Sequence, residues 1–123
     1  GQRDGAMVTP AVLTDVPRDV FLGCGEAFAP LIVVAPFETL EEAIEKVNDS
    51  SYGLQAGIYT RDIGSAFRFV RDAHVGGVMV NELPTFRVDH MPYGGVKDSG
   101  LGREGLRYAV EEMTEIKIVA FNL

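Results

Sequence analysis

Short apolar runs that alternate with stretches of helical period constrain this chain most. Leu31-Ile32-Val33-Val34-Ala35 is continuous and apolar, which suits a strand buried on both faces. Thr39 then precedes Leu40–Val47, in which Leu40, Ala43, Ile44 and Val47 share one helical face and Glu42 stands at the capping-box position. The turn-forming run from Asn48 to Gly53 ends that helix. Leu54–Thr60 reads as the next strand, and a helix starts at Asp62 or Ser65, passes Val70 and is closed by Gly76-Gly77. Val78–Asn81 reads as another short buried strand, Leu106–Thr114 as a final helix and Ile116–Phe121 as a last strand. Ahead of them all, Ala6–Val16 is broken by Pro10 and reads as an edge strand or extended segment. The order predicts an α/β layer with crossover connections. A chain of 123 residues suits one domain or one part of a larger one, and no linker separates two cores.

Charge and composition remove several classes of function. With 11 Lys and Arg against 18 Asp and Glu, the net charge is −7, and no basic stripe offers itself to a phosphate backbone. Nucleic acid is therefore not an expected partner. No apolar run is long enough to span a membrane, and the first residues lack the apolar centre of a signal peptide. The single cysteine, Cys24, excludes an internal disulfide framework, so a reducing cytoplasm is the expected location. The two histidines, His74 and His90, have no ligand partner at short spacing, and no metal site is expected.

From Glu82 to Arg103 the chain shows no clear periodicity, beyond the roughly 12–15 residues at which a structureless loop becomes uncommon and usually functional. The segment Met91–Gly105 places Tyr93, Lys97, Ser99, Arg103 and Glu104 between recurring glycines, with the Arg-Glu pair expected to begin a helix. Glycine in such numbers lets backbone approach backbone or ligand closely. A spacer would need no such mixture of aromatic, basic and acidic side chains.

Pro92-Tyr93-Gly94-Gly95-Val96-Lys97-Asp98-Ser99-Gly100-Leu101-Gly102-Arg103-Glu104 resembles the late signature of the NAD(P)-dependent aldehyde dehydrogenases, Pro-(Phe/Tyr)-Gly-Gly-x-Lys-x-Ser-Gly-x-Gly-Arg-Glu. Four further segments resemble the same family in its order: Pro10–Val16, Glu26–Pro30, Glu42–Leu54 and Gly77–Asn81. Agreement at five ordered places is far more specific than one glycine motif. The resemblance covers nearly the whole chain but only the last quarter of a full-length enzyme. It implies part of a catalytic domain over residues 1–114 and an intersubunit strand over 115–123, hence a homo-oligomer. It also implies NAD or NADP as cofactor and a small aldehyde as substrate, oxidised to a carboxylic acid.

Residue by residue, the resemblance makes Glu26 and Phe28 cofactor contacts, the carboxylate at the nicotinamide ribose and the ring beside the nicotinamide. Gly25 and Ala29 depart from the family's usual pattern in this turn. Phe86 and Tyr93 match aromatics of the substrate channel. Between them Arg87 resembles the branch that acts on small anionic aldehydes, such as lactaldehyde, glyceraldehyde 3-phosphate or phosphonoacetaldehyde. A guanidinium suits a carboxylate or phosphate, although a structural pair with Asp89 or with another subunit would explain Arg87 equally well. None of the family's catalytic residues matches a position here. Cys24 has a carboxylate, Glu26, as its nearest charge and falls outside the nucleophile loop, so it is not expected to be the nucleophile. Two readings follow: an enzyme segment that is inactive when isolated, or a free-standing fragment that folds and associates but catalyses nothing.

Overall fold

Pro10 has no N–H to give to a ladder, and the chain changes strand partner there. On its near side β1 (Arg3–Asp4) and β2 (Met7–Val8) form a short antiparallel hairpin. On its far side β3 (Ala11–Thr14) runs parallel to β4 (Leu31–Val34), with Ala11 opposite Leu31 and Thr14 opposite Val34. The computed structural model describes residues 1–123 and divides them into two units, Gly1–Ala43 and Ile44–Leu123. The division falls inside a helix, so no linker in the sequence announces it.

In the first unit the link from β3 to β4 carries one four-residue helix, α1 (Phe21–Cys24). No side chain of this unit is buried, and Ile32 of β4 is 58% exposed. The expectation of a strand buried on both faces therefore fails here. β4 has β3 as its only neighbour, and two strands bury little apolar surface. Helix α2 (Leu40–Asn48) starts as its capping box predicts. Thr39 Oγ1 accepts from the Glu42 N–H at 3.2 Å, while Glu42 reaches back to the N–H of Glu38 at 2.8 Å, one residue earlier than the ideal box.

The second unit holds the buried core, and that core is small: Ile44, Ala66, Phe69 and Ala73, each 4–8% exposed. Ile44 comes from α2, and the other three from α3 (Ile63–Asp72) and its end. Asp62 caps α3, its Oδ2 accepting from the Ser65 N–H at 2.7 Å. Hydrogen bonds from Ser65, its side chain first and its backbone N–H second, hold the carboxyl below its ordinary value. β6 (Gln55–Ile58) and β7 (Gly77–Val80) are parallel and joined through α3, the expected crossover unit. The helix stops at Asp72, ahead of Gly76-Gly77, and Gly77 already belongs to β7. Asn48 ties α2 to the end of α3, donating to the Asp72 carbonyl at 2.8 Å and accepting from the His74 N–H at 2.7 Å.

β5 (Tyr52–Gly53) pairs antiparallel with β8 (Val96–Lys97), so the long loop contains ladder structure that its sequence did not show. The last helix, α4 (Leu106–Glu112), begins after Gly105 at φ +112°, a backbone that only glycine adopts without strain. Arg103 and Glu104 thus precede the helix rather than begin it. No strand forms over Ile116–Phe121; residues 115–123 have no regular secondary structure, are exposed and pair with no other strand. A strand exists only through ladder bonds to a neighbour, and this chain supplies none there. No helix is long and apolar enough to cross a membrane.

Candidate functional site

Two motifs distant in sequence build the centre of the second unit. Lys97 sits at φ +55° and extends its ammonium to the carbonyls of Asn48 and Ser50, both at 2.9 Å. A cation there meets the exposed carbonyls at the end of α2, where the helix dipole is negative. The Asp98 N–H donates to the Ser51 carbonyl at 2.9 Å, and Ser99 Oγ accepts from the Gly53 N–H at 2.9 Å. The Lys-Asp-Ser part of the glycine-rich segment is thereby moulded onto the Asn48–Gly53 turn. Gly76 lies against the same segment: a Cβ added there would overlap the Gly94 carbonyl oxygen. No side chain fits.

The loop closes on itself through Tyr93 and Glu104, whose backbones exchange hydrogen bonds at 3.1 and 2.6 Å. Arg103 then turns inward and donates to the Gly95 and Gly102 carbonyls at 2.9 and 2.6 Å. Its own N–H is received by Glu112 of α4 at 3.0 Å. A cavity of about 380 Å³ opens within this arrangement, lined among others by Tyr93, Ser99, Arg103, Glu104 and Glu112. The volume is that of a small-molecule site, with charged groups of both signs in its wall.

Arg87 is held beside two of those lining residues. A terminal nitrogen lies 3.2 Å from Glu104 Oε2, and the guanidinium carbon stands 4.6 Å from the centre of the Tyr93 ring. Ion pair and ring face together orient the guanidinium plane. Its side chain remains 42% exposed. The pairing with Asp89 that the sequence left open does not form; Glu104 takes that place. Phe86 is 46% exposed, so it is not a core residue. The structure therefore gathers Tyr93, Arg87 and Glu104, with Phe86 adjacent in the chain. Glu104 was visible as part of a motif, but nothing in its spacing could have linked it to Arg87.

Glu26 and Phe28 belong to the first unit and are described by it alone. Both are exposed, Phe28 at 94%, and the Glu26 side chain has no hydrogen-bond partner in the chain. A free carboxylate followed by an uncovered ring is a fit for a ribose diol and a flat heterocycle, since one accepts two hydroxyl donors and the other offers a stacking face. Cys24 ends α1 and donates its thiol to the Val20 carbonyl at 3.4 Å, with no base at hand. No group of three or more His, Cys, Asp and Glu side chains is placed to hold a metal ion.

The profile of the Aldehyde dehydrogenase family matches residues 1–119. The 3-sulfolactaldehyde dehydrogenase of Priestia megaterium is 50% identical over 123 residues, all of this chain and 26% of that protein. Aldehyde dehydrogenase 21 of Physcomitrella patens, solved with its reaction product succinate, superposes with a TM-score of 0.89 at 42% identity, over 93% of this chain and 24% of that one. The glyceraldehyde-3-phosphate dehydrogenase of Methanocaldococcus jannaschii, solved with NADP, superposes with a TM-score of 0.86 at 46% identity, over 94% of this chain and 25% of that one. The chain spans about a quarter of the length of the relatives it matches.

Proposed function

The chain belongs to the aldehyde dehydrogenase family, and we propose that it forms the C-terminal part of an NAD(P)-dependent enzyme that oxidises a small anionic aldehyde to a carboxylic acid. The observation that carries the substrate class is Arg87, a half-exposed cation fixed beside Tyr93 and Glu104, both of which line the cavity. The similar proteins named above lend support of one kind. A sulfonate, a carboxylate and a phosphate stand in their substrates or products, and a guanidinium suits each of these groups.

In this reading Glu26 accepts the ribose hydroxyls of the nicotinamide dinucleotide and Phe28 packs against its ring. When bound, the nicotinamide accepts the hydride that leaves the aldehyde carbon. Tyr93 and Phe86 give the substrate an apolar wall, which strips water from the carbonyl before attack. Arg103 and Lys97 act on the backbone instead, holding the glycine-rich loop in shape. The nucleophile is not Cys24, so these residues alone do not turn over aldehyde. The exposed segment 115–123 pairs with a strand of a neighbouring subunit.

The test compares an anionic aldehyde with a neutral one of equal length in the intact enzyme that carries this segment. Arg87→Leu is expected to lower kcat/KM for the anion by about 10-fold, the lower end for a charge-assisted hydrogen bond because Arg87 is half-exposed. The neutral aldehyde should lose much less. Equal losses on both would return Arg87 to a structural role.

A further inference from the structure

Arg87 does not wait with a free charge. One of its terminal nitrogens is engaged by the Glu104 carboxylate, and the guanidinium lies against Tyr93. Its remaining donors have no partner in the chain, and the side chain is 42% exposed. An anion that approaches those donors therefore meets a pair of net charge zero rather than a lone cation. Two negative groups must share one guanidinium, and the second gains less than the first would. Glu104 is among the residues that line the cavity, and its carboxylate is the charged partner of Arg87.

From this we propose that Glu104 is a specificity-determining residue that weakens the hold of Arg87 on the anionic end of the substrate. The inference rests on the substrate reading given above and adds to it a competitor built into the site. Its consequence is an enzyme that accepts anionic aldehydes without retaining the anionic acids it makes. A product carries one negative charge more than its aldehyde, so a counter-carboxylate beside Arg87 favours release over retention.

Glu104 permits a clean variant because two roles are separable in it. The backbone N–H and carbonyl make the bridge to Tyr93, and only the side chain reaches Arg87. Glu104→Gln keeps shape and an acceptor oxygen while removing the charge. In the intact enzyme, the ratio of KM for an anionic aldehyde to KM for a neutral one of equal length should fall about 2- to 5-fold, the scale of an exposed ion pair. Inorganic phosphate, as an inhibitor competing with the anionic aldehyde, should bind more tightly by a similar factor. A residue that merely shaped the loop would move both KM values together and leave the phosphate constant where it was. Glu104→Asp, which withdraws the carboxylate by one methylene, should move the ratio in the same direction by less. It serves if the glutamine variant does not fold.

An unchanged ratio and phosphate constant in these variants would overturn the inference. Arg87→Leu separates the two levels. If it abolishes the anion preference while the Glu104 variants do nothing, the substrate reading stands and this inference falls. If it leaves the preference intact, both fall.

Discussion

Produced alone, residues 1–123 should not behave as a free monomer, and the surface area gives the scale. The chain exposes 9951 Å² at a mass of 13.4 kDa. A compact monomer of that mass exposes roughly 6,500 Å², and even two separate units of the same total mass would expose only about 7,800 Å². The excess of about 2,200–3,500 Å² exceeds the ~800 Å² that each partner buries in a standard interface and is on the scale of obligate assemblies. Much of it is apolar: Ile32, Val33 and Val34 on β4, and Ile116, Ile118, Val119 and Phe121 in the tail are all exposed. We expect the isolated chain to self-associate, to bind the dye ANS strongly, and to lack a cooperative urea transition. Sedimentation velocity over a tenfold concentration range reads the first directly. Ile116→Lys with Ile118→Lys should reduce the association by charging the unpaired tail, while dye binding persists because β4 is untouched. A monodisperse monomer that excludes the dye and unfolds cooperatively would refute the area argument.

Three other perturbations are worth making. Gly76→Ala drives a methyl into the Gly94 carbonyl, so the intact enzyme should lose about 1–3 kcal/mol in urea unfolding and lose kcat/KM on every aldehyde alike. Asp62→Ala should remove a pH dependence: the folded carboxyl lies below its ordinary value of 3.8, so its contribution is full above that pH and is lost as pH falls through the lower folded value. Urea midpoints of the intact enzyme between pH 3 and 7 would then be flatter in the variant. Glu26→Gln should weaken dinucleotide binding or slow hydride transfer with little change in thermal midpoint, since the side chain is exposed and unpartnered; unaltered cofactor affinity and turnover would count against the ribose contact.

Elements fixed by neighbours in the chain are legible in the order of residues alone. The α2 capping box, the Asp62 cap, and the strand-helix-strand order through β6, α3 and β7 depend on interactions within a turn or on a repeating period, and both are written in adjacent residues. The glycine-rich signature is legible too, because close backbone approach leaves glycine as its mark, as Gly76 against Gly94 shows. What the tertiary structure decided were meetings between distant residues. That Lys97 serves the end of α2, and that Arg87 finds Glu104 instead of the nearby Asp89, follows from the path of the loop, which no local period encodes. The apolar runs at Leu31–Val34 and Ile116–Phe121 make the same point from the other side. Sequence sets their need for burial, but burial belongs to whatever surface lies opposite, and within these residues nothing lies there.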